Sequence, residues 1–320
     1  MSLFTRWVFW QCAAVPLACA LLGSRAIASD TSFLFSYFIG NGEDGLHLAR
    51  SEDGLHWRAL GGGRSYLTPQ VGENKLMRDP CLLLGPDGVF RMVWTTSWAG
   101  QTIGYASSRD LLHWSAQAAL AVMAMEPTTV NCWAPEVVYD DAKRNYLIYW
   151  ASTIPGRFVN PDERATRPGA SIRNHRIYCT TTPDFAHFSA TRLYYDPGFN
   201  VIDATLASNG GDGWLLFVKN ETEHPQPAKD IHLVRAATAE GPFSAPSPAI
   251  HGKYWAEGPT AIKIGEEWYV YFDRYRDHRF GVVRSKDLKN WEDVSERLDM
   301  PSGIRHGTVL RVPRALADAL

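Results

Sequence analysis

The stretch Ile103-Gly104-Tyr105-Ala106-Ser107-Ser108-Arg109-Asp110-Leu111-Leu112-His113-Trp114 contains the pattern that predicts the fold. A short β-like run ends in Ser or Thr, an Asp follows two positions later, and an aromatic residue closes the unit. Degenerate copies close at Trp57, Phe188, Phe243 and Trp291, so successive closing aromatic residues lie 48 to 74 residues apart. Units that recur at such a period are typical of repeat architectures, including propellers.

Additional strand signals lie between successive copies of the unit. Runs rich in β-branched and aromatic residues each follow a turn signal, as Val89 to Thr96 follows Gly85-Pro86-Asp87-Gly88. Another apolar run precedes each turn. Each unit therefore predicts four strands, which is the composition of a propeller blade.

The first of the five units lacks its innermost strand, because Phe33 to Ile39 already has the pattern of a second strand. The missing strand can come from Gly307 to Arg311, near the other end of the chain. We therefore predict an all-β, five-bladed β-propeller that is closed by pairing of the N- and C-terminal strands, which removes an exposed sheet edge. Residues 29–320 are predicted to form this single domain.

Residues 1–28 are predicted to be a secretory signal peptide. Arg6 is the only early charge, Trp7 to Leu22 is almost continuously apolar, and Ala26-Ile27-Ala28 has the form of a cleavage site. The apolar run is shorter than the roughly 20 residues of a membrane-spanning helix, so an anchor is the less favoured alternative. We expect a secreted or periplasmic protein with no membrane association after cleavage.

Composition excludes several function classes. The 32 basic and 34 acidic side chains give a net charge of −2, without the basic surplus of nucleic-acid binders. A hydrophobic content of 45% excludes a disordered chain. Cys81, Cys132 and Cys179 are widely spaced and lack a zinc-binding pattern, which leaves one disulfide plus a free thiol, or three buried thiols. We expect a monomer.

Acidic residues recur where the innermost strands are predicted to begin, and these positions converge on one mouth of the channel. Buried like charges are costly, so a fold that gathers them there favours a functional interpretation. Two carboxylates that flank a sugar can hydrolyse a glycosidic bond, one as an acid and the other by activating water or attacking directly. The five segments are Arg78-Asp79-Pro80, Trp133-Ala134-Pro135-Glu136, Ile202-Asp203-Ala204, Trp255-Ala256-Glu257-Gly258-Pro259 and Arg305-His306-Gly307.

Neighbouring residues suggest which carboxylate acts as the base and which acts as the acid. Asp79, beside Arg78, is expected to stay ionised and to act as the base. Glu257, near Trp255, is expected to be less solvated and to act as the acid. Each acid also has a structural interpretation as a turn or loop residue, but the joint pattern favours catalysis. For Glu136 a structural or substrate-contact role is favoured.

Together these motifs resemble glycoside hydrolase family 43, a family of five-bladed propellers. Asp79 corresponds to the family's general base, Asp203 to its pKa-modulating Asp and Glu257 to its general acid, which implies an inverting mechanism. His306 resembles the histidine that faces the channel and, in many members, lies near a calcium ion or water cluster. No metal ligand set and no required cofactor are predicted, since a single His is weak evidence for a metal site.

The leading functional hypothesis is a secreted, exo-acting α-L-arabinofuranosidase or β-xylosidase that acts on plant-type carbohydrate. Alternatives are a sugar-binding propeller without catalysis, an exo-galactosidase and a fructosidase-like enzyme. The polar stretch from Ser152 to His175 is predicted to wall the pocket and to favour a chain end. The predicted substrate-binding residues are Arg78, Trp98, Trp133, Trp255 and His306.

Overall fold

The computed structural model describes residues 30–159 and 173–320. The predicted signal peptide at residues 1–28 lies outside these ranges, as does much of the predicted pocket wall between Ser152 and His175. Within the described ranges the regular structure is almost entirely β, with one short helix, α1 (Arg314–Asp318). No described helix has the length and apolar character needed to cross a membrane.

The strands form five antiparallel sheets, the blades of a propeller. Blade 1 contains β1 (Thr31–Tyr37), β2 (His47–Ser51), β3 (Arg58–Ala59) and the C-terminal β19 (Thr308–Pro313). Blade 2 contains β4 (Arg78–Leu84), β5 (Phe90–Thr95), β6 (Ile103–Ser108) and β7 (Ala118–Leu120). Blade 3 contains β8 (Trp133–Asp140), β9 (Asn145–Ser152), β10 (Arg176–Thr182) and β11 (Arg192–Tyr195). Blade 4 contains β12 (Val201–Ser208), β13 (Trp214–Asn220) and β14 (Asp230–Ala236). Blade 5 contains β15 (Glu257–Ile264), β16 (Glu267–Arg274), β17 (Arg279–Ser285) and β18 (Glu292–Asp293).

The ring is closed as the sequence predicts. Strand β19 pairs antiparallel with β1, with Pro313 opposite Thr31 and Thr308 opposite Ser36. The innermost strands β19, β4, β8, β12 and β15 contact one another in that order around the channel, and β15 contacts β19. The five-bladed propeller with paired terminal strands is therefore confirmed, and the pairing covers the inner edge of β1.

Blade 4 departs from the prediction of four strands, because its outer position is taken by an irregular segment. Pro246 and Pro248 lack the N–H group that a regular ladder needs. The amides of Ser244, Ser247 and Ile250 still donate to carbonyl groups of β14. The segment therefore follows the edge of the blade without becoming a regular strand.

The repeated motif forms the turn that follows the third strand of a blade. The carboxylate of Asp110 accepts hydrogen bonds from the N–H groups two and three residues later, at 2.9 and 2.8 Å. The hydroxyl of Ser108 accepts from Leu111 at 2.8 Å, and the indole of Trp114 donates to the carbonyl of Leu111. This geometry explains the repeat as structural. Equivalent turns contain Asp53, Asp184 and Asp287.

The hydrophobic core is divided into five clusters, each between neighbouring blades. Aromatic residues dominate them, and Trp94 and Trp150 are fully buried. Cys81, Cys132 and Cys179 are buried free thiols, so three buried thiols is the alternative found. Most of the aromatic content thus serves packing between blades, as expected for large apolar side chains.

Candidate active site

Four innermost strands begin with a β-bulge at the same end of the channel. The pairing register shifts after the first residue of β4, β8 and β15 and after the second residue of β12. The next residue has a left-handed backbone in each case, with φ of 52° at Asp79, 44° at Ala134, 51° at Asp203 and 58° at Gly258. A bulge redirects side chains locally. The motifs are therefore the first residues of the strands, whereas the sequence placed them just before the strands.

Gly258 is required by two features of this bulge. Its positive φ is unfavourable for residues with a Cβ atom. A Cβ atom at this position would also lie 2.3 Å from Cγ of His306. The glycine therefore allows the strand that begins with Glu257 to pack directly against the His306 ring.

The bulges surround an open cavity of about 420 Å³ at this mouth of the channel. The three predicted catalytic carboxylates line it together, along with four of the five predicted substrate-binding residues. Trp255 is the exception. The lining consists of Gly40, Asn41, Arg78, Asp79, Thr95, Trp98, Trp133, Ile202, Asp203, Lys219, Glu221, Glu257, Arg305 and His306.

Asp79 is held as an ionised carboxylate by its neighbours. Nδ1 of His306 lies 3.3 Å from Oδ1 of Asp79, and the hydroxyl of Thr95 donates to Oδ2 at 2.8 Å. Burial raises the pKa of Asp79, but the bond to His306 and the positive charges of His306 and Arg78 outweigh burial and lower it to about 2. Burial lowers the pKa of His306, yet the surrounding carboxylates, chiefly Asp79, raise it to about 9. At neutral pH the two groups therefore form an ion pair.

Glu257 is held between two cations, each of which has a second carboxylate partner. Oε2 of Glu257 lies 3.0 Å from Nζ of Lys219, and Oε1 lies 3.1 Å from Arg305. Lys219 also lies 2.7 Å from Glu221, and Arg305 lies 2.6 Å from Asp273. In this alternating row of charges the side chains of Lys219 and Asp273 are only 3% exposed, whereas those of Glu221, Glu257 and Arg305 are 23% to 32% exposed.

The two remaining acids differ in their access to the cavity. Asp203 accepts a hydrogen bond from the N–H of Gly258 at 3.0 Å, and burial raises its pKa to about 6. Glu136 lies outside the cavity lining and accepts a hydrogen bond from Tyr149 at 2.7 Å. Burial raises the pKa of Glu136 to about 7. Its enclosed position fits the structural role rather than substrate contact.

The aromatic candidates separate into two groups. Trp98 and Trp133 line the cavity edge to face, with ring centroids 5.6 Å apart, and Trp98 is 43% exposed. The ring of Trp255 instead packs near Tyr275 and lies 4.5 Å from the guanidinium of Arg276. The charged side chains in contact with the Glu257 carboxylate are Lys219 and Arg305, and Trp255 does not line the cavity.

Several cavity residues have no counterpart in the motif analysis. Lys219 is the penultimate residue of the apolar strand β13, Glu221 follows that strand, and Asn41 lies in the loop after β1. A lysine at the end of a strand otherwise filled with buried apolar residues is the one signal that sequence reasoning could have used. Its partner cannot be read from the sequence, because Glu257 belongs to the next blade.

A cation site does not fit the described side chains around His306. The ring is paired with Asp79, and no three His, Cys, Asp or Glu side chains within residues 30–159 and 173–320 are grouped to hold a metal ion. A protonated imidazole offers no lone pair to a metal. We therefore derive no catalytic step through a cation.

A propeller whose central cavity combines buried carboxylates with an exposed aromatic surface has the architecture of a carbohydrate-cleaving enzyme. Residues 29–318 match the family model described as a probable glycosyl hydrolase domain, which is related to glycoside hydrolase family 43. The chain belongs to this family of probable glycosyl hydrolase domains. The resemblance seen in the motifs is thereby confirmed.

Individual proteins similar to the chain agree with this assignment. An α-L-arabinofuranosidase of Bifidobacterium longum subsp. longum is 24% identical over 280 residues, covering 75% of this chain and 26% of that relative's length. The structure of an α-L-arabinofuranosidase from Lactobacillus brevis has a TM-score of 0.53 at 16% identity, with 68% of this chain and 72% of that chain covered. An exo-β-1,3-galactanase from Phanerochaete chrysosporium has a TM-score of 0.52 at 13% identity, with 73% and 51% covered. The chain thus spans about a quarter of the length of the arabinofuranosidase relative. The two solved structures have the same fold as this chain.

Proposed function

We propose that the protein removes terminal α-L-arabinofuranosyl or β-xylosyl units from plant-type carbohydrate with inversion of configuration. The observation that carries the proposal is the presence of Asp79 and Glu257 in one cavity, the first held ionised and the second held between paired cations. Similarity to an α-L-arabinofuranosidase supports the choice of sugar.

Asp79 acts as the general base in this proposal. Its carboxylate is ionised at neutral pH, and His306 and Thr95 each occupy only one lone pair of its two oxygens. The remaining lone pairs can accept a proton from a water molecule that attacks the sugar. The ion pair with His306 therefore orients the base without consuming its capacity to accept.

Glu257 acts as the general acid. When it carries a proton, Lys219 still faces Glu221 and Arg305 still faces Asp273, so neither cation is left buried without a partner. As Glu257 gives its proton to the departing oxygen, negative charge develops between two cations that are already in place. Such preorganised charges stabilise a transition state more than the ground state.

Asp203 supports the acid through the backbone. Its carboxylate accepts the N–H of Gly258, the residue next to Glu257. This bond fixes the bulge from which the Glu257 side chain extends. Asp203 thus takes the orienting part of the role that the family resemblance implies, and its charge adds to the field around Glu257.

Hydrolysis of a panel of 4-nitrophenyl glycosides, arabinan, arabinoxylan and β-1,3-galactan tests the proposal. Glu257→Gln should lower kcat on polysaccharide by about 10²- to 10⁴-fold, the usual contribution of a general acid. The loss should be smaller on 4-nitrophenyl glycosides, whose leaving group departs without protonation. Glu223→Gln, outside the cavity lining, is the matched control.

Three outcomes would contradict parts of the proposal. Unchanged turnover of polysaccharide by Glu257→Gln would remove the assigned acid. A first product with retained configuration in proton NMR would exclude inversion. Cleavage of galactan alone would show that the sugar removed is galactose. The alternative of a non-catalytic propeller would be favoured by binding of oligosaccharide without any turnover.

We also propose that the protein is exported. The support is the order of charge, apolar run and small residues before Ser29. N-terminal sequencing of the protein from the periplasm or culture medium should begin at Ser29. An intact N-terminus on cytoplasmic protein would contradict export and would leave the enzymatic proposal unaffected.

A further inference from the structure

Arg78 differs from the other cations that line the cavity because it forms no ion pair at contact distance within residues 30–159 and 173–320. Lys219, Arg305 and His306 each lie within ion-pair distance of at least one carboxylate. Among the residues that the structure describes, no carboxylate oxygen lies within 4.0 Å of the Arg78 guanidinium. Its one hydrogen bond runs from Nη1 to Oδ1 of Asn41, at 3.2 Å. Asp79 and Glu43 act on Arg78 through space without such contact. The guanidinium therefore keeps N–H groups that can donate to an anion.

The guanidinium is also fixed in orientation. Its carbon lies 4.7 Å from the ring centre of Phe38 and 4.4 Å from that of Trp98. Oδ1 of Asn41 accepts a second hydrogen bond, from the indole of Trp98 at 3.1 Å. One amide therefore holds Arg78 and Trp98 side by side. Stacking on aromatic rings leaves the in-plane N–H groups of a guanidinium available as donors.

The neighbouring surface can take a sugar ring. Trp98 is 43% exposed and meets Trp133 edge to face, and the guanidinium of Arg173 lies 4.2 Å from the ring centre of Trp133. This part of the cavity surface thus presents two indole rings, and an arginine guanidinium packs against each of them. An indole packs against the apolar face of a sugar, and a guanidinium pairs with two coplanar oxygens.

We infer that Arg78 and Trp98 bind a carboxylate-bearing sugar, so that the enzyme acts on an acidic glycan with a uronate at or beside the cleaved bond. The inference rests on the proposed function, because it assumes that the cavity takes a glycan. The planar carboxylate of a uronate offers two oxygens in the geometry of a guanidinium edge. A neutral sugar offers hydroxyl groups but cannot neutralise the charge.

Binding to the wild-type protein tests the inference without requiring turnover. We expect D-glucuronate and D-galacturonate to bind about tenfold or more tightly than D-glucose and D-galactose in calorimetry, because charge-assisted bonds are about twice as strong as neutral ones. High salt should weaken only the uronate complexes. Galactose 6-sulfate distinguishes a planar carboxylate from any anion.

Arg78→Gln should remove the preference for uronates, and Arg78→Lys should retain less of it than the wild type because lysine cannot pair through two parallel N–H groups. Arg276→Gln is the matched control, since Arg276 also stacks on a tryptophan but lies outside the cavity lining. Equal or absent binding of uronates, tighter binding of the sulfate, or a preference that survives Arg78→Gln would overturn the inference.

The two proposals fail separately. Hydrolysis of neutral glycosides with no preference for uronates would refute the acidic ligand and leave the proposed function intact. Binding of uronates with no hydrolysis of any glycoside would refute the proposed function and leave the acidic ligand supported.

Discussion

His306 should couple the charge of the site to the stability of the fold, and His306→Gln tests this coupling. The ring is buried and lies 3.3 Å from Asp79, and the carboxylates of Asp79, Asp203 and Glu136 raise its pKa from 6.5 to about 9. A rise of this size corresponds to about 3 kcal/mol of folding free energy. The neutral amide of glutamine has a similar size but cannot form the ion pair with Asp79, so this stabilisation is lost in the variant.

The pH range follows from the direction of the change. A histidine whose pKa is higher in the folded state contributes its full stabilisation below pH 6.5, and this contribution is lost as pH rises through about 9. The free energy of unfolding of the wild type should therefore fall by up to about 3 kcal/mol across this range relative to His306→Gln. His187→Gln, which replaces an exposed histidine outside the cavity lining, is the matched control.

Urea unfolding at a series of pH values measures the free energies, and NMR of the histidine ring protons measures the titration directly. The signal that disappears in His306→Gln should titrate near pH 9 in the wild type. The same variant should move the acidic limb of the kcat/KM profile to higher pH, because Asp79 loses the partner that keeps it ionised. A His306 signal that titrates below pH 7, or parallel stability curves for the two proteins, would refute the reasoning.

Lys219→Met should lower kcat on polysaccharide by about 10²-fold, because it removes a preorganised cation that contacts Glu257 where negative charge develops. The same substitution at Lys229, a buried lysine paired with Glu221, is the control, and an unchanged kcat in Lys219→Met would contradict the prediction. Trp98→Ala should raise KM for oligosaccharides by about tenfold with a smaller effect on kcat, since it removes an exposed stacking surface worth roughly 1–2 kcal/mol. Steady-state kinetics should show no comparable rise in Trp255→Ala, and an equal rise in both variants would show that Trp255 also contacts the substrate.

Local patterns in the chain were sufficient to predict the architecture. Four of the five blades are closed by a motif whose Asp and Ser or Thr bond to the backbone within a few residues, as at Asp110. Such bonds depend on nearest neighbours along the chain, so they recur visibly. The outer position of blade 4 was predicted less well, because Pro246 and Pro248 remove ladder donors without removing the segment from the edge.

The acids of the site were predictable for a similar reason. Asp79, Asp203 and Glu257 lie within the first three residues of innermost strands, and a repeat fold superposes such positions around its axis. Their electrostatic partners were not predictable. Trp255 precedes Glu257 by two residues yet packs elsewhere, while Lys219 contacts Glu257 from another blade.

The amino-acid sequence by itself determined the number of blades, the pairing of the chain ends and the three carboxylates at the channel mouth, because each depends on short motifs repeated in order. Only the tertiary structure decided how those carboxylates are charged. The bond between His306 and Asp79, and the placement of Lys219 and Arg305 around Glu257, join blades that are distant along the chain. Electrostatic energy depends on distance and burial in space rather than on separation in sequence.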